Sequence, residues 1–388
     1  MKIIQISSAS SSFSVKDSQK DIFRGWYAKV ARQIKKNKSQ LDVECWTPEK
    51  NYKEEKTKLK EDIKFRIFPT NFSLRHGMEI SFSLLKSLRK LQKEGDKKGE
   101  KLILHIHEYH SWLAYLILFF ADKDKVKIIA QHHGGRNPTS NLRVYKRLFL
   151  FFPLIFFLQF IEELVLKKVD YFYALSDAEL TYLKKVAPNT KRRFQTMGIN
   201  EEYFKKEGKN ISRRRIGLDL NKKYVLYIGR IKTTKGMKEL LDSMKELDSL
   251  NLELLLIGEG ADFLKYNSYV QEKNIHNVKF LGAIYGEKKL SYLNACNGLI
   301  LPSHTEGAPV VLMEAIAKNL PVVATNVGGI PKMIKNGREG ILIDPYSKKE
   351  IVYAIQEILK WKDKEIRTYA KKYLWKRIIK DTIRDYKE

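Results

Sequence analysis

Short apolar runs recur along the chain, spaced so that a helix fits between most of them. In the first half they fall at Ile3–Ser7, Asp42–Trp46, Lys64–Phe68, Leu102–His107, Lys127–Gln131 and Tyr171–Leu175. Most lack the alternation of a strand with one wet face, which predicts strands buried on both faces. Helix-length stretches such as Lys20–Lys36 and Ile80–Leu91 separate them, so the strands are expected to run parallel. After Gly198 the rhythm restarts, with strands expected at Tyr224–Ile228, Leu252–Ile257, Val278–Leu281, Gly298–Leu301, Pro321–Ala324 and Gly340–Ile343. The pattern predicts an α/β chain of two doubly wound domains, residues 1–200 and 201–369, joined near Gly198–Lys206. A length of 388 residues suits two such cores. Ligands of these sheets bind beyond the carboxyl ends of the strands, so two domains facing each other are expected to form a cleft.

One segment departs from the rhythm. Leu148–Ile161 is almost wholly apolar and rich in Phe, with Arg143, Lys146 and Arg147 before it and Lys167 and Lys168 after it. It is too short to cross a bilayer as a helix, which takes about 20 residues. Its basic flanks suit a helix lying at an anionic membrane surface, across residues 143–168; a buried helix is the alternative. The N-terminal Met1–Ile6 run is too short for a secretory signal and is expected to be a strand.

Composition changes the picture in two ways. The net charge is +28, which favours an anionic partner such as a phosphorylated substrate, an anionic lipid or a nucleic acid. The lysines are scattered rather than blocked, so a generally basic surface accounts for the charge equally well. No helix-turn-helix, zinc or RNA-binding signature accompanies it, and no nucleic-acid partner is expected. The two cysteines, Cys45 and Cys296, lie in different halves and suggest reduced thiols in the cytoplasm.

Candidate chemistry gathers at three strand ends in the second half. After Gly298–Leu301 comes Ser303-His304-Thr305-Glu306-Gly307-Ala308-Pro309, followed by a helical stretch containing Glu314. Pro309 fits a first helical turn, and Gly307 and Ala308 bare the backbone before it, so amides at the positive helix end can meet a phosphate. Glu306 and Glu314 are carboxylates of the kind that hold paired hydroxyls of a sugar or ribose, although each alone would pass for a helix-associated charge. After Tyr224–Ile228 comes Gly229-Arg230-Ile231-Lys232-Thr233-Thr234-Lys235-Gly236, in which Arg230 and Lys235 are placed to clamp a diphosphate. After Leu252–Ile257 comes Gly258-Glu259-Gly260, by itself little more than a turn.

In order and spacing these motifs, with Val327-Gly328-Gly329-Ile330-Pro331, resemble the family 4 glycosyltransferases, retaining enzymes of the GT-B fold. The likeness runs nearly end to end: Gly198-Ile199-Asn200 looks like the interdomain linker. The tail from about 370 to 388 looks like the closing helix that crosses back to the N-terminal domain. The resemblance implies that Arg230 and Lys235 contact the donor diphosphate and that Glu314 holds the ribose. It further implies that Glu306 with Gly307, Ala308 and Pro309 holds the donor sugar, and that Gly229, Gly258 and Gly260 shape the nucleotide pocket. In the N-terminal domain it points to His133 as a catalytic group, with His132 as a stand-in, and to His107 and Glu108 as residues lining the acceptor side. The co-substrate would be a UDP- or GDP-sugar, and the acceptor a lipid-linked or cell-surface glycan precursor at the cytosolic membrane face. No Asp-x-Asp stands at a suitable strand end, so no essential metal and no further cofactor are expected. The chain departs from the family at Ser7-Ser8-Ala9-Ser10-Ser11-Ser12, where members have a Gly-Gly pair, and at Lys332, where many have glutamate. A sugar-nucleotide epimerase of the same fold, or a non-catalytic nucleotide-sugar-binding protein, remain as alternatives.

Overall fold

The computed structural model describes residues 1–8, 22–73, 79–97, 99–134, 160–361 and 365–388. They form two compact units, Met1–Thr196 together with Lys376–Glu388, and Met197–Trp375.

The first unit is built on a sheet in the order β10-β9-β8-β7-β1-β2-β4-β3. Its strands are β1 (Lys2–Ser7), β2 (Asp42–Glu49), β3 (Lys56–Lys60), β4 (Ile63–Pro69), β7 (Leu102–His107), β8 (Val126–Gln131), β9 (Tyr171–Ala174) and β10 (Lys191–Phe194). All neighbours pair in parallel except β3 with β4. A small antiparallel hairpin, β5 (Phe72–Ser73) with β6 (Glu79–Ile80), lies apart. The central strands read as continuous apolar runs because helices cover both faces, and Ile4, Ile6, Leu104, Ile106 and Ile128 have no exposed surface. Strand order reverses between β1 and β7, where Ser7 pairs with His107.

β3 and β10, the two strands of the large sheet that apolar patterning did not predict, are its edges. Their sequences, KTKLK and KRRF, carry the charge that discourages pairing with another chain and leave no apolar run to read. Part of the scattered positive charge therefore guards sheet edges. The last helix, Trp375–Lys387, contributes to this unit: the Tyr386 hydroxyl meets Nε2 of Gln5 at 3.0 Å and Nδ1 of His105 at 2.6 Å.

The second unit has one all-parallel sheet in the order β13-β12-β11-β14-β15-β16. The strands are β11 (Lys223–Ile228), β12 (Leu252–Ile257), β13 (Val278–Gly282), β14 (Gly298–Leu301), β15 (Val322–Thr325) and β16 (Gly340–Ile343). Three have the expected bounds, and β15 lies one residue further on than Pro321–Ala324. The order reverses between β11 and β14, which makes their carboxyl ends the switch point at which such sheets bind ligands. Within this unit the incoming and outgoing segments pair: Ile199 N–H donates to Tyr373 O at 2.9 Å, and Trp375 N–H donates to Ile199 O at 3.1 Å.

Cys45 and Cys296 are free and buried in separate units. Among the described residues no helix is long and apolar enough to cross a membrane. Of the apolar Leu148–Ile161 segment, residues 148–159 lie outside the described residues, as do Ser10–Ser12 and Ala9 of the serine loop.

Candidate functional site

In the second unit the candidate residues collect past the carboxyl ends of β11, β12 and β14. Three loops meet there because backbone can touch backbone. Gly258 has φ +147°, and a Cβ on it would stand 1.8 Å from Gly229 O. Gly236, in the left-handed region at φ +67°, would place a Cβ 2.0 Å from Pro302 O. The glycines expected to shape a nucleotide pocket are thus needed first for the protein's own loop packing. His304 N–H donates to Thr234 O at 3.0 Å, and Gly329 N–H donates to Gly307 O at 2.6 Å, which ties the β14 loop to its neighbours on either side.

On this frame Lys235 and Glu306 form an ion pair, Nζ to Oε1, at 2.5 Å, with the two side chains 15% and 14% exposed. Ser303 Oγ donates to the same carboxylate oxygen at 2.8 Å. Arg230 is exposed and, among the described residues, has no ion pair. Its carbonyl accepts from the Tyr227 hydroxyl at 2.9 Å. Burial, and then the Glu306 carboxylate, raise the Tyr227 phenol, while the Arg230 guanidinium opposes them, so both charges flank this ring. The result is one free and one paired cation at the end of β11.

Pro309 precedes rather than opens the helix Val310–Ala317, and no side chain caps that helix. Leu312 N–H donates to Pro309 O at 3.1 Å, and the amides of Val310 and Val311 before it have no side-chain cap, as at other anion-binding helix starts. Glu314, inside the helix, pairs with Lys289 Nζ through Oε2 at 2.5 Å. Lys289 lies over the Tyr203 ring at 5.6 Å, and the Tyr203 phenol is raised by burial and then by Glu314. Lys289 and Tyr203 were not singled out from the sequence, because no short motif joins positions 203, 289 and 314.

In the first unit the strand-end histidines form a chain. His133 Nε2 meets His107 Nδ1 at 2.7 Å, and His107 Nε2 meets Gln5 Oε1 at 2.7 Å. The Gln5 oxygen only accepts, because its amide nitrogen faces the Tyr386 hydroxyl. His107 therefore carries its proton on Nε2 and accepts on Nδ1, so His133 donates from Nε2 and keeps a lone pair on Nδ1. Burial, and then neighbouring charge, hold both imidazoles well below the usual histidine range, so both are neutral near pH 7. His133 also stacks on Trp26 with ring centres 5.5 Å apart, a contact with no sequence motif behind it.

The other strand-end residues are placed differently from His133. His107 lines no open surface; it is 2% exposed and acts by fixing His133. His132 faces a different partner, with its Nδ1 3.1 Å from Glu179 Oε2. Glu108 adopts φ +63°, donates from its N–H to Gln131 O at 2.8 Å, and keeps its carboxylate 3.9 Å from His132 Nε2. Ser8, at the departure from the Gly-Gly pattern, is buried and uses its hydroxyl on the carbonyls of His107 and Glu108. That serine secures the β1–β7 switch point.

Comparison with known proteins finds a sequence likeness in the second unit. Residues 208–375 match the model of the glycosyl transferases group 1. The chain is 28% identical over 197 residues to an uncharacterized glycosyltransferase of Methanocaldococcus jannaschii, covering 49% of this chain and 52% of that one. It is 31% identical over 170 residues to the capsular polysaccharide biosynthesis glycosyltransferase CapM of Staphylococcus aureus, covering 42% and 43%. The chain thus spans about half the length of the curated relatives it matches. The fold extends further than the sequence likeness. The Anabaena HepE crystal structure in complex with UDP superposes over 99% of both chains, with a TM-score of 0.69 at 16% identity. The architecture is that of the GT-B glycosyltransferases.

Proposed function

We propose that the chain is a retaining glycosyltransferase whose second unit binds a nucleotide-sugar. The observation that carries this reading is the group at one switch point: Arg230 and the Lys235–Glu306 pair after β11 and β14, and Glu314 in the uncapped helix beyond. The cations suit a diphosphate, and Lys235 would exchange part of its contact with Glu306 for phosphate oxygens. Glu306 is then released toward a sugar hydroxyl, and Glu314 toward the ribose. In the transfer, the bond from the anomeric carbon to the diphosphate oxygen breaks and a bond to the acceptor oxygen forms on the same face. The acceptor proton passes to the departing phosphate. Arg230 and Lys235 stabilise the charge that develops on that leaving group, and the His133 Nδ1 lone pair accepts a hydrogen bond from a substrate hydroxyl.

The acceptor in this reading is a lipid-linked or cell-surface glycan precursor. The relation to a capsular polysaccharide enzyme supports that class. Phe160 and Leu164, 62% and 45% exposed on helical residues 160–166, and Phe119 with Lys168 Nζ 5.9 Å over its ring, support contact with an anionic membrane surface. A thermal-shift panel of UDP-, GDP- and ADP-sugars tests the donor half: one nucleotide-sugar should raise the Tm of the wild type and not of Glu314→Ala. No shift with any donor, in a folded protein, would sink the reading.

A further inference from the structure

Past the carboxyl ends of β7 and β8, the first unit holds a cluster that the proposed transfer does not use. His110 follows β7, His132 follows β8, and Glu179 lies in the first turn of the helix Asp177–Val186. One potential ligand atom from each lies within 4.8 Å of the other two. The side chains are well enclosed, 5% exposed for His110, 16% for His132 and 9% for Glu179.

Several features suit a ligand set. The 3.1 Å between His132 Nδ1 and Glu179 Oε2 is close to the separation of two atoms bound to one ion at about 2.0–2.1 Å. His110 Nδ1 is enclosed and makes no hydrogen bond of good geometry. It stands 3.5 Å from Oε1 of the buried Glu162, itself held by the Tyr115 hydroxyl at 2.9 Å. Glu179 is oriented from behind: the Tyr109 hydroxyl donates to Oε1 at 2.5 Å and the Leu175 N–H donates to Oε2 at 2.8 Å. Metal-bound carboxylates are commonly fixed by such contacts.

We propose that His110, His132 and Glu179 form a site for one divalent transition-metal ion, zinc by ligand type, with Glu162 beside it as a further oxygen donor. Two imidazoles and carboxylate oxygens suit zinc better than magnesium or calcium, which take oxygen almost alone. The ion joins three separate chain segments and fixes the end of β8, where His132 immediately precedes His133. The site does not depend on the transferase reading.

The test uses the tag-free full chain, stripped with a chelator, desalted and titrated with Zn²⁺ or Co²⁺. Elemental analysis should find one ion per chain, Zn²⁺ should raise the Tm, and Co²⁺ should give the intense visible bands of a low-coordinate nitrogen–oxygen site. His110→Ala and Glu179→Gln should each weaken binding by more than the roughly 10–100-fold that loss of an outer-shell partner costs. The Co²⁺ spectrum of the wild type stands even if a variant fails to fold. Substoichiometric retention by folded wild-type protein would overturn the proposal. So would equal retention by wild type and a folded His110→Ala, which would assign the ion to exposed histidines. Because the readouts are metal content, spectrum and Tm, they are separate from donor binding in the second unit.

Discussion

The two units build their strand ends from opposite materials. In the first, five histidines lie at or just beyond β7 and β8, three of them buried (His105, His107 and His110), with His105, His107 and His133 linked through Gln5 and Tyr386 or by stacking. In the second, the described residues include no buried histidine, and the corresponding place holds the largely enclosed ion pairs Lys235–Glu306 and Lys289–Glu314. A chain of neutral hydrogen bonds fixes direction and tautomer, whereas ion pairs at a strand-end loop keep charge ready for exchange with a ligand. The first unit's site is therefore expected to contribute strongly to stability, and the second's to ligand binding.

The largest effect should come from Lys235→Ala. Removing a cation from a leaving diphosphate costs on the order of 3 kcal/mol, roughly a hundredfold in kcat/KM, with the Tm little changed. Wild-type turnover would remove Lys235 from the site. Gly258→Ala comes next, since a methyl group 1.8 Å from Gly229 O at φ +147° forces two loops apart. A loss of about 1–3 kcal/mol in denaturant unfolding is expected, together with weaker donor binding. In the first unit, Tyr386→Phe leaves Gln5 and His105 short of a partner at a cost of about 1–2 kcal/mol. That loss should appear in stability while donor binding persists, the reverse of Lys235→Ala.

A pH dependence separates the two units in a different way. Burial lowers His105 from 6.5 to about 3. Between those values the unfolded chain binds a proton that the folded chain refuses. Its contribution is therefore complete above about pH 6.5 and declines as pH falls toward 3, by roughly 1.4 kcal/mol per pH unit. His107 and His133 act in the same direction. Hydrogen exchange between pH 7 and 5 should show the first unit opening before the second; simultaneous opening would remove the contrast.

Much of the fold was legible because strands buried on both faces must be apolar throughout. Leu252–Ile257 and Gly298–Leu301 could be read to the residue for that reason. Lys56–Lys60 and Lys191–Phe194 could not, because edge strands need charge rather than apolarity, and charge carries no period. The donor motifs were legible because each lies on one continuous stretch after a strand.

The sequence by itself determined the α/β order, the position of each strand-end loop and the residue types available there, because these depend on neighbours along the chain. Only the tertiary structure decided how those residues are paired. Lys235 meets Glu306 across 71 positions, Glu314 meets Lys289 across 25, and His107 turns inward to hold His133. The same long-range folding gathers His110, His132 and Glu179. Such pairings rest on the twist of a sheet and the packing of loops across it, and spacing along the sequence does not encode them.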